Sequence, residues 1–172
     1  MTGAGAAPAT EVVAAVRAIL AGIADPEIPA ISIVDLGIVG EVALVDGTLR
    51  VELLPTFIGC PALDLIRATV AERLESIRTD PACGVSQIAL NISFAEPWTA
   101  ERISAAGRAA LQASGFAPPE SGPRLLNLAA PAICPYCGSR RTVLENAFGP
   151  TRCRSIHYCT VCRQPFEQFK DG

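Results

Sequence analysis

Histidine is almost missing from this sequence: 172 residues contain one, His157. Residues 1–133 therefore hold none. That excludes a cysteine–histidine catalytic pair within this stretch, and also the Glu-x-x-His pairs that hold a di-iron site in a helical bundle. No G-x-G-x-x-G run occurs, so the fingerprint of a dinucleotide-binding turn is absent. No stretch offers enough uninterrupted apolar residues to span a bilayer. The start, "MTGAGAAPATEVVAAVRAIL", lacks the basic head and apolar run of a secretory signal, so a cytoplasmic location is expected. The formal net charge of -3 gives no general pull toward nucleic acid or an anionic membrane. Half the residues are hydrophobic, which supports a folded core and argues against disorder.

Cysteine, by contrast, is plentiful: there are seven, and five of them follow residue 130. In a reducing compartment spaced cysteines more often bind metal than form disulfides. "CPYCG" and "CTVCRQPF" place Cys134, Cys137, Cys159 and Cys162 as two C-x2-C pairs separated by 21 residues. Two such turns can aim four sulfurs at one ion, a tetrahedral set that suits zinc. An iron site with the same ligands, or a reducible dithiol pair, fits the spacing as well. "RTVLENAF" and "TRCRSIHY" read as strands separated by Gly149-Pro150, which is the plan of a zinc ribbon. Cys153 and His157 lie on the second of these strands, and either could replace a knuckle cysteine. The simpler reading leaves Cys153 a buried thiol and His157 a strand residue. From residue 134 on there are six basic and three acidic residues, with no dense basic-aromatic patch. Docking to a protein is therefore favoured over nucleic acid.

The preceding chain reads as helix, hairpin, helix, strand, helix. Val12, Val16, Ile19 and Ile23 recur at helical spacing after a candidate cap at Thr10. Pro26 ends that helix, and "DPEIPAISIVDLG" is too apolar for a solvent loop. Asp46-Gly47 between two β-prone runs predicts a two-residue hairpin. Leu63, Ile66, Val70, Leu74 and Ile77 mark a second helix. Ile88, Leu90, Ile92 and Phe94 alternate as a strand. Thr99 is a candidate cap for a third helix, closing near Gly115. The expected fold class is α/β in the α+β sense: a small sheet with helices, followed by a small zinc ribbon. The expected domains are 1–115, a proline-rich linker at 116–132, and the ribbon at 133–172.

Within "TFIGCPA", Cys60 is expected at or beside the start of the second helix, where backbone N–H groups favour a thiolate. Gly59 lets the backbone approach closely, and Thr56 offers a hydroxyl. Asp25, Glu27 and Asp35 are the neighbouring acids in sequence. Cys60 is a reactive or metal-binding thiol on this reading, with a packed structural cysteine as the alternative. Cys83 receives no role.

"DPEIPAISIVDLGIV" (25–39) and "TFIGCPA" (56–62), in this order and with the hairpin between them, resemble the metal–sulfur cluster assembly domain of SufT-like proteins. With "CPYCGS", "FGPTRCRS" and "CRQPFEQFK" added, the arrangement resembles the PaaD family of phenylacetate degradation, associated with phenylacetyl-CoA epoxidase. The resemblance implies an α/β assembly domain and an accessory role in maturing an iron–sulfur or di-iron centre of the oxygenase or reductase. It makes Cys60 the functional thiol, with Asp35 as the acid of the "DLG" motif and Thr56 and Gly59 in support. The cofactors it implies are structural zinc and a transient iron–sulfur cluster or iron. Catalysis by the chain itself is not expected. Two other roles stay open: a stoichiometric, non-catalytic subunit of the epoxidase complex, and a ribbon-bearing nucleic-acid regulator. The chain ends "FEQFKDG", without the further terminal cysteine of some relatives, which leaves the role of Cys153 open. A homodimer is also left open.

Overall fold

A computed structural model describes residues 7–119 and 131–170. The chain has the mixed α+β architecture its periodicities predict, and its contacts divide it into two units. The first comprises Met1–Pro55 with Pro61–Pro97; the second comprises Thr56–Cys60 with Trp98–Gly172.

The first unit is built on α1 (Ala9–Ala21), β1 (Val39–Val45), β2 (Thr48–Leu53), α2 (Leu63–Thr79) and β3 (Gln87–Ile92). Asp46 and Gly47 both take positive φ, 49° and 74°, the geometry of a tight turn whose twist matches the strands it joins. β1 and β2 are accordingly antiparallel, while β3 lies parallel to β2. Parallel neighbours need a long crossover, and α2 supplies it. Leu49, Val51 and Leu53 are fully buried, whereas Arg50 between them is exposed. Val12, Val16 and Leu20 of α1 are buried, as are Ile66, Val70, Leu74 and Ile77 of α2.

The apolar loop before β1 is part of this core: Ile28, Ile31, Ile33 and Leu36 are all buried. Burial obliges its backbone to find partners. Asp25 Oδ1 accepts the N–H groups of Glu27 and Ile28, both at 2.9 Å, and the Ile33 N–H donates to Ile23 O at 2.9 Å.

The second unit contains α3 (Ala105–Ala113) and β4 (Phe116–Ala117), then β5 (Thr142–Asn146), β6 (Arg154–Cys159) and β7 (Pro165–Phe169). Its four strands form one sheet in the order β4-β7-β6-β5. Two of these strands, β4 and β7, are not among the elements expected from periodicity. Pro165 opens β7 at the first strand position, where the lack of an N–H is tolerated. Trp98 packs edge-on against Phe169, with ring centroids 5.6 Å apart.

Three local expectations differ from what is observed. α1 starts at Ala9, one residue before Thr10, because Pro8 O already accepts the N–H groups of Glu11 and Val12. Thr99 caps only a short 3-10 turn, Ala100–Arg102, and its side chain makes no cap bond. α3 begins later, where Ser104 Oγ accepts the Gly107 N–H at 2.9 Å. The expected linker at 116–132 falls mostly on residues 120–130, outside the described residues, and Phe116–Ala117 at its start forms β4. Among the described residues no helix is long and apolar enough to cross a membrane.

Candidate functional site

The two C-x2-C knuckles fold alike. In the first, the Cys134 N–H donates to Ser139 O at 3.0 Å and the Gly138 N–H to Cys134 O at 2.9 Å. In the second, the Cys159 N–H donates to Gln164 O at 3.0 Å and the Arg163 N–H to Cys159 O at 2.9 Å. The residue after each pair is left-handed, Gly138 at φ 71° and Arg163 at φ 61°. Glycine adopts this conformation freely and arginine does so against strain.

These turns bring the Sγ atoms of Cys134, Cys137, Cys159 and Cys162 within 4.8 Å of one another. Cys134 and Cys162 approach to 3.6 Å, as do Cys137 and Cys159. A tetrahedral ion with metal–sulfur bonds of about 2.3 Å separates its sulfurs by about 3.8 Å. The sulfurs therefore already stand around a gap the size of a metal ion.

Their acid–base chemistry is in conflict without a cation. Amide N–H groups of Cys162 and then Val161 hold the Cys159 thiol down to about 6, against the opposing effect of burial. Burial, followed by hydrogen bonds to Cys134 and Cys159, pushes Cys162 up to about 12. Burial also raises Cys134. A bound cation favours the thiolate at all four positions and removes the conflict. Cys134 and Cys159 are moreover two of the five residues in the small core that Ala117, Ala132 and Phe166 complete.

Cys153 stands outside this cluster. It is buried, with Sγ 3.0 Å from Thr151 Oγ1. Arg154 Nε donates to the same oxygen at 2.9 Å, which leaves the Thr151 hydrogen free to point at the sulfur. Arg154 in turn pairs with Glu167 at 3.0 Å and lies over the Phe116 ring. His157 is also buried, stacked on Phe166, with Nε2 3.1 Å from Ser155 Oγ. Burial lowers its pKa. Nothing local in the sequence signals the Arg154–Glu167 pair, because it joins positions far apart along the chain that the register of β6 with β7 sets diagonally, Arg154 opposite Phe169 and Glu167 opposite Ile156.

Cys60 closes a turn in which its N–H donates to Phe57 O at 3.2 Å. Gly59, the third residue of that turn, has φ 78°, the glycine position of a type II turn. Ile58 at the tip is highly exposed, Cys60 is half-buried and Thr56 is buried. The helix start expected at Cys60 lies further on: the cap residue of α2 is Ala62, and α2 begins at Leu63. Asp35 sits in the first unit, where its Oδ2 accepts the Ser32 hydroxyl at 2.8 Å and its N–H donates to Ser32 Oγ at 3.0 Å.

Two family models match the chain: the "Iron-sulfur cluster assembly protein" family over residues 13–87, and the "PaaD zinc beta ribbon domain" over residues 118–170. The chain is 33% identical over 153 residues to a subunit of the "Putative 1,2-phenylacetyl-CoA epoxidase" of Escherichia coli K12, covering 89% of each protein. It is 32% identical over 81 residues to an "Fe-S protein maturation auxiliary factor" of Porphyromonas gingivalis, covering 46% of this chain and 71% of that one. Among solved structures it is similar to a DUF59 domain of unknown function from Bacillus anthracis. There the TM-score is 0.53 and the identity 28%, over 60% of this chain and 93% of that one.

Proposed function

The chain belongs to the PaaD family, and from that premise we propose that it is an accessory protein of phenylacetyl-CoA epoxidase in aerobic phenylacetate degradation, assisting the maturation of a metallocentre in the oxygenase or reductase. The ribbon holds one structural zinc on Cys134, Cys137, Cys159 and Cys162, and presents a surface to the client. Iron or an iron–sulfur cluster is the cargo. The Cys60 thiol binds it in passing, with Thr56 and Gly59 in support, and Asp35 of the first unit is a separate candidate group for the transfer. Functionally the chain divides into an assembly domain at 1–115, a linker at 116–132 and the ribbon at 133–172. The protein works in the cytoplasm.

The observation that carries this reading is the Thr56–Cys60 turn. It places a partly accessible thiol beside a backbone conformation that glycine alone takes easily, and it does so outside the four-sulfur cluster. A thiol that receives and releases a metal needs access; a structural ligand does not.

The test is the metal content of the oxygenase and reductase purified from cells with and without this chain. The expected result is a client that is synthesised but under-loaded with iron or cluster. A second reading has one observation in its favour, namely that the Escherichia coli relative is named as a subunit. If both clients are fully metallated without this chain, yet turnover requires adding it to the purified mixture, the protein is a stoichiometric subunit and not an assembly factor.

A further inference from the structure

The ribbon sheet ends on one side in β4, two residues long, and on the other in β5, five residues long. Among the described residues β5 pairs with β6 alone. Such an edge offers unpaired backbone groups, although here the Thr142 N–H already donates to Arg140 O at 2.9 Å, and proteins usually blunt it with charge, proline or a cover. Here Val143 and Leu144 project at 49% and 42% exposure on opposite faces of the strand. Arg141 O accepts the Thr160 N–H at 3.0 Å on the β6 side. By antiparallel alternation, Thr142 and Leu144 then turn their backbone groups away from β6.

The sequence of this edge, Arg141-Thr142-Val143-Leu144-Glu145, is complementary to itself when reversed. A two-fold axis through Val143 sets Val143 against its own copy. It places Arg141 opposite Glu145 of the second chain, and Glu145 opposite Arg141. It also aligns the Leu144 N–H with Thr142 O of the second chain, and the symmetric bond forms in return. Arg141 and Glu145 are both exposed, and among the described residues neither side chain is engaged in an ion pair. The one irregularity of β5, the register shift between Leu144 and Asn146, falls at Glu145, the last residue of this match, and leaves the three residues Thr142–Leu144 that carry the backbone pairing regular.

We propose that β5 is a dimerisation edge, pairing antiparallel with β5 of a second copy of this chain to make one sheet of eight strands. The charge pattern selects the occupant. Opposite charges directly across an antiparallel pair favour the register, and a two-fold axis requires a patch that matches itself. The contact is short, so the dimer is weak and depends on concentration. This inference is independent of the maturation reading.

Sedimentation equilibrium of the full, metal-loaded chain tests it, over a series from low micromolar to several hundred micromolar. Reversible dimerisation is expected. Arg141→Glu alone and Glu145→Arg alone should each weaken it about tenfold, since each change creates two like-charge contacts in the symmetric pair. The double variant Arg141→Glu with Glu145→Arg should restore the parent affinity, because the swapped charges meet again. Metal content and the amide spectrum confirm folding of each variant. A monomer throughout the series, a dimer indifferent to the single swaps, or a double variant that fails to recover would each overturn the proposal.

Discussion

The two units solve the same problem, forming a core, by different means. The first closes a three-stranded sheet with α1 and α2 and buries a long series of aliphatic side chains, among them Leu20, Leu49, Leu53, Val70 and Leu74. The sheet of the second packs around Ala117, Ala132, Cys134, Cys159 and Phe166, where two of five core members are also cluster sulfurs. Aliphatic burial contributes about 1.5–3 kcal/mol per large side chain and tolerates piecemeal loss. A core made partly of metal ligands depends on the ion as a whole.

The contrast predicts unequal damage. Cys134→Ser, Cys159→Ser or strong chelation should abolish the fold of residues 131–170, because apparent binding energies of structural zinc are about 10–16 kcal/mol. Hydrogen exchange on the treated chain should show this loss while α1, α2 and β1–β3 stay protected. Collapse of both units together would break the comparison. Acid acts in the same direction, since protons compete with the metal for sulfur. Metal is released as pH falls, because each thiolate takes up a proton as it leaves the ion. A metal-release titration followed by a chromogenic chelator measures the midpoint.

A smaller effect is expected on the other side. Leu74→Ala removes a fully buried side chain from α2 and should destabilise the first unit by about 2–5 kcal/mol. Denaturant unfolding should register this loss with the ribbon metal retained. Smaller again is the difference between the matched knuckles. Gly138→Ala places a Cβ at φ 71° and should cost about 1–2 kcal/mol. Arg163→Gly relieves the equivalent strain at φ 61°, with a net gain of about 0.5 kcal/mol after the added chain entropy. Metal-loaded melting curves of the two variants should therefore shift in opposite directions.

How much of the molecule is legible in the sequence depends on how local each feature is. The Asp46-Gly47 turn, the α2 stripe and the turn within each C-x2-C pair follow from spacing within a few residues, and all are present. The start of α3 is not legible, because Thr99 and Ser104 are both plausible caps and only the bond from the Gly107 N–H to Ser104 tells them apart. β4 is too short to show a period, and it exists because β7 pairs with it in parallel. Nor does any periodicity say which sheet a helix will join. α3, which sequence order groups with the elements before it, falls in the same contact unit as the ribbon strands. At the candidate site, neither the turn at Gly59 nor the late start of α2 at Leu63 is legible, since Gly59 reads only as easing a close backbone approach and Pro61 suits a first helical turn equally well.

The mildest structural change should separate the two thiol sites most sharply. Cys60→Ser alters one atom at a half-buried turn outside the four-sulfur cluster. The direct measurement is made on one strain that carries this variant as its only copy. It pairs zinc content and melting temperature of the purified variant with iron loading of the epoxidase from the same cells. The account predicts about one zinc per chain and a melting temperature close to that of the parent, with the client under-loaded. A fully loaded client, or a variant that has lost its ribbon metal, would contradict it.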